Sequence, residues 1–107
     1  MSFQIGTSVL DACVLSALQK NDQYGYSLTQ EIRKVMDISD STMYPVLKRL
    51  KKDGYVVTYE QPFEGRNRRY YTITDEGREK FNYYIEEWLN YREMMNEIMM
   101  GEGDKDE

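Results

Sequence analysis

A mainly α-helical domain carrying one small β-hairpin is the fold class this sequence predicts, and three observations predict it. Apolar residues recur at three- and four-residue spacing in four separate stretches, the period of helices buried by one face. Two short runs of β-branched and aromatic residues, 55–59 and 69–74, flank a turn holding Pro62 and Gly65, as paired strands do. The length, 107 residues, suits one compact α+β domain and leaves no room for a second independent core.

The first helix gathers Val9, Ala12, Cys13, Leu15 and Leu18, with the small Ser16 among them, and ends near the Lys20-Asn21-Asp22 turn signal. Leu28, Ile32 and Val35 or Met36 mark a second helix over residues 24–36, opened by the flexible Gly25. The third is capped by Ser39, has Asp40 in its first turn, buries Met43, Val46, Leu47 and Leu50, and stops at Gly54. Its other face collects Ser41, Thr42, Pro45, Lys48, Arg49 and Lys52, which share a direction because they recur at three- and four-residue intervals. Pro45 falls in the second turn, where it forgoes a backbone bond.

The hairpin carries Arg66, Asn67, Arg68 and Arg69 at its tip and along its second strand, so it predicts a cationic finger. Strand neighbours face opposite sides, so of Tyr70 and Tyr71 one ring is expected to pack inward. Thr74 or Asp75 caps a last helix in which Phe81, Tyr84, Ile85, Trp88, Tyr91, Met95 and Ile98 recur at three and four residues, the pattern of a dimerisation seam. Running to Met100 it would span about 38 Å, more than so small a domain can cover. The expected divisions are residues 1–76 as the globular domain, 77–100 as the dimerisation helix, and 101–107 as a disordered acidic tail.

Charge is uneven. The chain totals −5, but residues 81–107 hold eight acids against the bases Arg92 and Lys105, leaving the first 80 residues near +1. Residues 39–73 hold seven bases against four acids, so the positive charge concentrates where the third helix and hairpin lie. The chain has no histidine and one cysteine, Cys13, which removes histidine-based catalysis, cysteine zinc clusters and an internal disulfide. Its seven glycines are scattered at element ends, with no phosphate-binding loop. No enzyme, metal or cofactor is expected. Neither a signal peptide nor a membrane span is legible, so a cytoplasmic protein without membrane association is expected.

Helix, helix, capped helix with a basic face, basic hairpin and long apolar-seamed helix make the winged helix-turn-helix plan. The motifs Tyr24-Gly25-Tyr26-Ser27-Leu28, the run Ser41-Thr42-Met43-Tyr44-Pro45-Val46-Leu47-Lys48-Arg49-Leu50, Asp53-Gly54-Tyr55, and Arg68-Arg69-Tyr70-Tyr71-Thr72-Ile73-Thr74-Asp75-Glu76-Gly77 together resemble the PadR family of transcriptional regulators, in its short subfamily with a single C-terminal helix. Ser41 stands where that family often has glycine, at the start of the exposed helix face.

The resemblance implies double-stranded DNA as partner, met by Ser41, Thr42, Tyr44 and Pro45 at the helix start and by Arg66, Arg68 and Arg69 on the wing. Lys48 and Arg49 are phosphate candidates. It further implies a homodimeric repressor on an inverted-repeat operator, and a small aromatic effector at the dimer interface beside Trp88, although a tryptophan in an apolar seam also serves as plain packing. The rival reading is a winged-helix protein-interaction module, in which the bases of the third helix and hairpin would be dispensable.

Overall fold

The structure is a computed structural model and describes residues 6–101. Helix α1 (Gly6–Ala17) leads through strand β1 (Gln23–Tyr24) into α2 (Gly25–Arg33) and α3 (Asp40–Lys52). A hairpin of β2 (Val56–Phe63) and β3 (Arg66–Ile73) follows, then α4 (Asp75–Met95), which ends in a π-helical turn over Asn96–Met100. The sheet is antiparallel, ordered β1-β3-β2, with Tyr24 opposite Tyr70 and Val56 opposite Ile73.

The core lies where the first three helices meet the base of the sheet. Leu10, Val14, Leu15 and Leu18 of α1 and its end, Leu28 and Ile32 of α2, and Met43, Val46, Leu47 and Leu50 of α3 close on Val56, Tyr71 and Ile73. The first three helices each supply one apolar stripe, and β3 supplies the alternate residues Tyr71 and Ile73. Tyr71 is the inward ring of its pair, as strand alternation requires.

Helix α4 is fixed at its start. The Thr74 hydroxyl accepts from the Gly77 amide (3.0 Å) and donates to the Gly54 carbonyl (2.7 Å), while the Thr74 amide donates to the Tyr55 carbonyl (3.0 Å). Gly77 is required there, because any Cβ would fall inside the Tyr55 carbonyl oxygen and the Ile73 side chain. Beyond Tyr84 no residue of the helix packs into the core. The Cα radius of gyration is 16.7 Å, against about 13 Å expected for a compact chain of this length, and the extents are 66 × 27 × 21 Å.

Three local departures from the sequence expectation stand out. The second helix stops at Arg33 rather than Met36, and Val35 and Met36 continue only as a turn whose amides bond to Ile32. The strands run on to Phe63 and from Arg66, past the polar residues Glu60, Gln61 and Asn67, because the wing lies outside the core and needs no apolar alternation. Strand β1, two residues long, leaves no periodicity to read. Of the expected acidic tail, residues 102–107 lie outside the described residues.

Candidate nucleic-acid interface

The start of α3 is held by short polar contacts. Ser39 accepts from the Thr42 amide at 3.2 Å, and its hydroxyl also meets those of Ser41 (2.9 Å) and Thr42 (3.2 Å). Arg33 donates to the Ile38 carbonyl (2.9 Å) and reaches Asp40 (3.3 Å), fixing the short connection that sets α3 against α2. With Met43, Val46, Leu47 and Leu50 buried beneath, the face left to solvent carries Ser41, Thr42, Tyr44, Pro45 and Lys48. Tyr44 is 64% exposed, so its ring is a surface group, not core packing.

Register divides the wing into two faces. Tyr71 and Ile73 point into the core, so Arg69 and Asn67 share their side; Arg66, Arg68 and Tyr70 lie on the other. Arg69 pairs loosely with Glu60 across the strands, 3.6 Å, both exposed. Arg68 is half-buried, with its guanidinium carbon 3.6 Å from the Phe63 ring centroid and 4.1 Å from that of Tyr24. Arg66 is exposed beside the two-residue turn Glu64-Gly65, where both residues have positive φ (50° and 84°).

Between the N-terminal end of α3, the β1–α2 junction and the wing lies a cleft of about 780 Å³. Tyr24, Tyr26 and Tyr44 line it with Arg66, Arg68 and Arg69, and Glu60 is its one acid. Three cations facing aromatic and amide groups across a concave surface suit a polyanion backbone. Tyr24, Tyr26 and Asn67 line this cleft beside the residues the sequence points to; the motif Tyr24-Gly25-Tyr26 is visible in the sequence, but its place beside the wing is set by the pairing of β1 with β3, which spacing alone does not show.

Arg49 is not brought to this surface. Its guanidinium turns inward to the buried Asp11 carboxylate of α1, which also accepts from the Tyr84 hydroxyl of α4 at 3.3 Å. Burial pushes the Asp11 carboxyl up against the opposing pull of Arg49, and burial with the Asp11 charge pushes the Tyr84 hydroxyl up to about 12. The trio ties α1, α3 and α4 together.

The predicted seam residues separate along α4. Phe81 and Tyr84 pack against the molecule's own core, and Tyr91 and Met95 are half-buried. Ile85, Trp88 and Ile98 are exposed, and with them Leu89, Met94, Met99 and Met100, which lie outside the three- and four-residue pattern of the sequence. An apolar cavity of about 740 Å³ opens between α1, α2 and α4, lined by Ala12, Cys13, Ile32, Phe81, Tyr84, Ile85, Trp88 and Tyr91 among others. Cys13 is half-buried there, its sulfur 3.8 Å from that of Met36, and burial raises its thiol pKa. Among the described residues no cluster of ligating side chains could hold a metal, and no helix is long and apolar enough to cross a membrane.

Comparison with known proteins agrees with this geometry. The model of the Transcriptional regulator PadR-like family matches residues 14–83. A curated protein of Lysinibacillus sphaericus is 32% identical over 97 residues, covering 86% of this chain and 89% of its own. The crystal structure of smu.1704 from Streptococcus mutans superposes with a TM-score of 0.86 at 36% identity, over 99% of this chain and 100% of that one. Bacillus subtilis PadR, solved in complex with operator DNA, superposes with a TM-score of 0.65 at 26% identity, over 72% of this chain and 46% of its own.

Proposed function

The chain belongs to the Transcriptional regulator PadR-like family, a family of regulators and not of enzymes, and from that membership we propose that it works in the cytoplasm as a homodimeric repressor that occupies an inverted-repeat operator and is released by a small aromatic effector. The observation that carries this reading is the convergence of the exposed start of α3 and the cationic wing on one cleft. Ser41, Thr42, Tyr44 and Pro45 reach base edges and the sugar-phosphate wall of the major groove, and Lys48, Arg66, Arg68 and Arg69 meet phosphates. The operator complex of the Bacillus subtilis relative supports duplex DNA as the partner.

Two copies joined through α4 present two α3 helices to one side of the duplex, so half-sites lie about one helical turn, roughly 34 Å, apart. The seam is formed by the exposed run from Ile85 to Ile98 together with Phe81, Tyr84 and Tyr91 where they border the apolar cavity. That cavity, beside Trp88, is the effector site. An effector releases DNA only by binding better to a dimer whose reading helices are wrongly spaced, and α4 joins the cavity to α3 through Tyr84 and Asp11.

The test is a salt series of binding to the region upstream of the protein's own gene, with random duplex as competitor. Saturation at two chains per site, preference over random DNA and a steep salt slope are expected. Charge reversal at Lys48 and Arg68 should weaken binding and make that slope shallower. Binding no tighter than to random duplex, there and across selected genomic fragments, would favour the protein-interaction module instead.

A further inference from the structure

The outer face of the wing is an aromatic ladder. Tyr59 and Tyr70 stack with centroids 5.5 Å apart, Tyr70 meets Tyr24 at 5.7 Å, and Tyr24 meets Tyr26 at 6.4 Å. The Tyr59 hydroxyl donates to Asp22 at 2.7 Å, which ties the ladder to the turn ahead of β1. Arg68 sits on its open end. Sheet order produces the arrangement: β3 is central, Tyr24 of β1 lies opposite Tyr70, and Phe63 of β2 lies opposite Arg66, so the diagonal neighbours of Arg68 on one face are a ring from each side.

The three wing cations are therefore not equivalent. Arg69 has Glu60 across the ladder, and Arg66 stands exposed at the tip. Arg68, among the described residues, pairs with no carboxylate and instead has two aromatic rings within 4.1 Å of its guanidinium carbon. Rings against the faces of a guanidinium leave its N–H edge free, and that edge is the part that makes paired hydrogen bonds to phosphate or to guanine. The rings also remove rotamer freedom that a free arginine would lose on binding.

We propose that Tyr24 and Phe63 are positioning residues which clamp the Arg68 guanidinium edge-on toward the duplex, so that the wing binds through one pre-oriented arginine and not through its summed charge. The inference rests on the DNA-binding reading above and assigns the geometry within it. The rings supply no contact to DNA of their own; they fix where the arginine's donors point. Lysine cannot replace the arginine, since an ammonium has no planar edge for the rings to orient.

The experiment uses the full chain and a genomic duplex recovered by selection on the wild-type protein. Affinity and its salt slope are measured for Arg68→Lys, Arg68→Ala, Phe63→Leu, Phe63→Tyr and the double variant Phe63→Leu with Arg68→Lys. Arg68→Lys should weaken binding about tenfold with the slope unchanged, and Arg68→Ala should lower the slope by about 1. Phe63→Leu should weaken binding about fivefold beside Arg68, with the slope retained, and by less than twofold beside Lys. Phe63→Tyr, which restores a ring, should bind as the wild type does. Wild-type affinity in Arg68→Lys, or the same loss from Phe63→Leu in both backgrounds, overturns the clamp while leaving DNA binding standing. A slope that drops in Phe63→Leu would mean that the whole wing has loosened, and also overturns it. Recovery of no fragment by the wild type removes the DNA-binding reading, and the clamp with it.

Discussion

Lys48 and Arg49 are neighbours on α3 and carry the same charge, yet the fold gives them different surroundings. Lys48 is exposed on the face that includes Tyr44, whereas Arg49 lies three residues beyond the buried Val46 and turns its guanidinium into Asp11. In the sequence both read as phosphate cations, because spacing shows which side of a helix a residue is on but not that a flanking arginine has a buried acid waiting on another helix. Replacing Lys48 by Ala should leave thermal stability unchanged and lower the salt slope of DNA binding by about 1. Replacing Arg49 by Ala strands the Asp11 carboxylate and should cost about 2 kcal/mol, read as a lower melting temperature at an unchanged salt slope.

The same trio sets a dependence on alkaline pH. Tyr84 keeps its proton up to about 12 when folded, whereas an unfolded tyrosine releases it near 10. Between those values the unfolded chain binds fewer protons, so stability falls as pH rises, and Tyr84→Phe should flatten that fall in denaturant titrations run from pH 9 to 11.5. Gly77 is the other residue on which a whole junction depends. Gly77→Ala forces a Cβ into the Tyr55 carbonyl, so α4 must shift from the wing base, and a loss of roughly 3 kcal/mol is expected by chemical denaturation.

At the scale of elements, the sequence marked each feature that rests on local chemistry. Ser39 caps α3 and Thr74 caps α4 as their residue types suggest, and the buried stripe of α3 consists of the four residues its spacing picks out. Elements held by tertiary context were not legible. Strand β1 exists because β3 offers it a partner, and the distal wing is strand because two mostly polar segments pair across a tight turn, with Phe63 as its one large apolar ring. That turn has one poor fit. Both central residues have positive φ, which Gly65 adopts freely but Glu64 does not, at a penalty of about 1 kcal/mol. Glu64→Asn should therefore raise the melting temperature by a few degrees. Because it also removes an acid from the wing tip, it should tighten DNA binding, and a gain in stability with no gain in affinity would place the tip away from the phosphates.

For the whole molecule, the decisive feature is that α4 outgrows the body it is anchored to. Phe81 and Tyr84 complete the intramolecular core, but from Ile85 onward the helix exposes Trp88, Leu89, Met94, Ile98, Met99 and Met100. A monomer would hold this apolar surface in water at about 25 cal/mol per Å² of area left unburied. The spacing in the sequence predicts one continuous apolar seam from Phe81 to Ile98, but it does not tell which of those residues serve the chain's own core and which are left over; the position of α1 against α4 decides that. In the proposed homodimer the left-over residues meet a second copy, and folding becomes linked to association. The melting temperature of the wild type should then rise with protein concentration. Leu89→Glu places a charge in the seam without touching the core or the wing, so it should give a sedimenting species of 12.8 kDa where the wild type gives twice that mass. Its melting temperature should be lower and independent of concentration, and operator affinity should fall by at least tenfold, since one reading helix cannot hold two half-sites. A Leu89→Glu chain that remains dimeric and binds the operator normally would place the dimer contact elsewhere than on the distal half of α4.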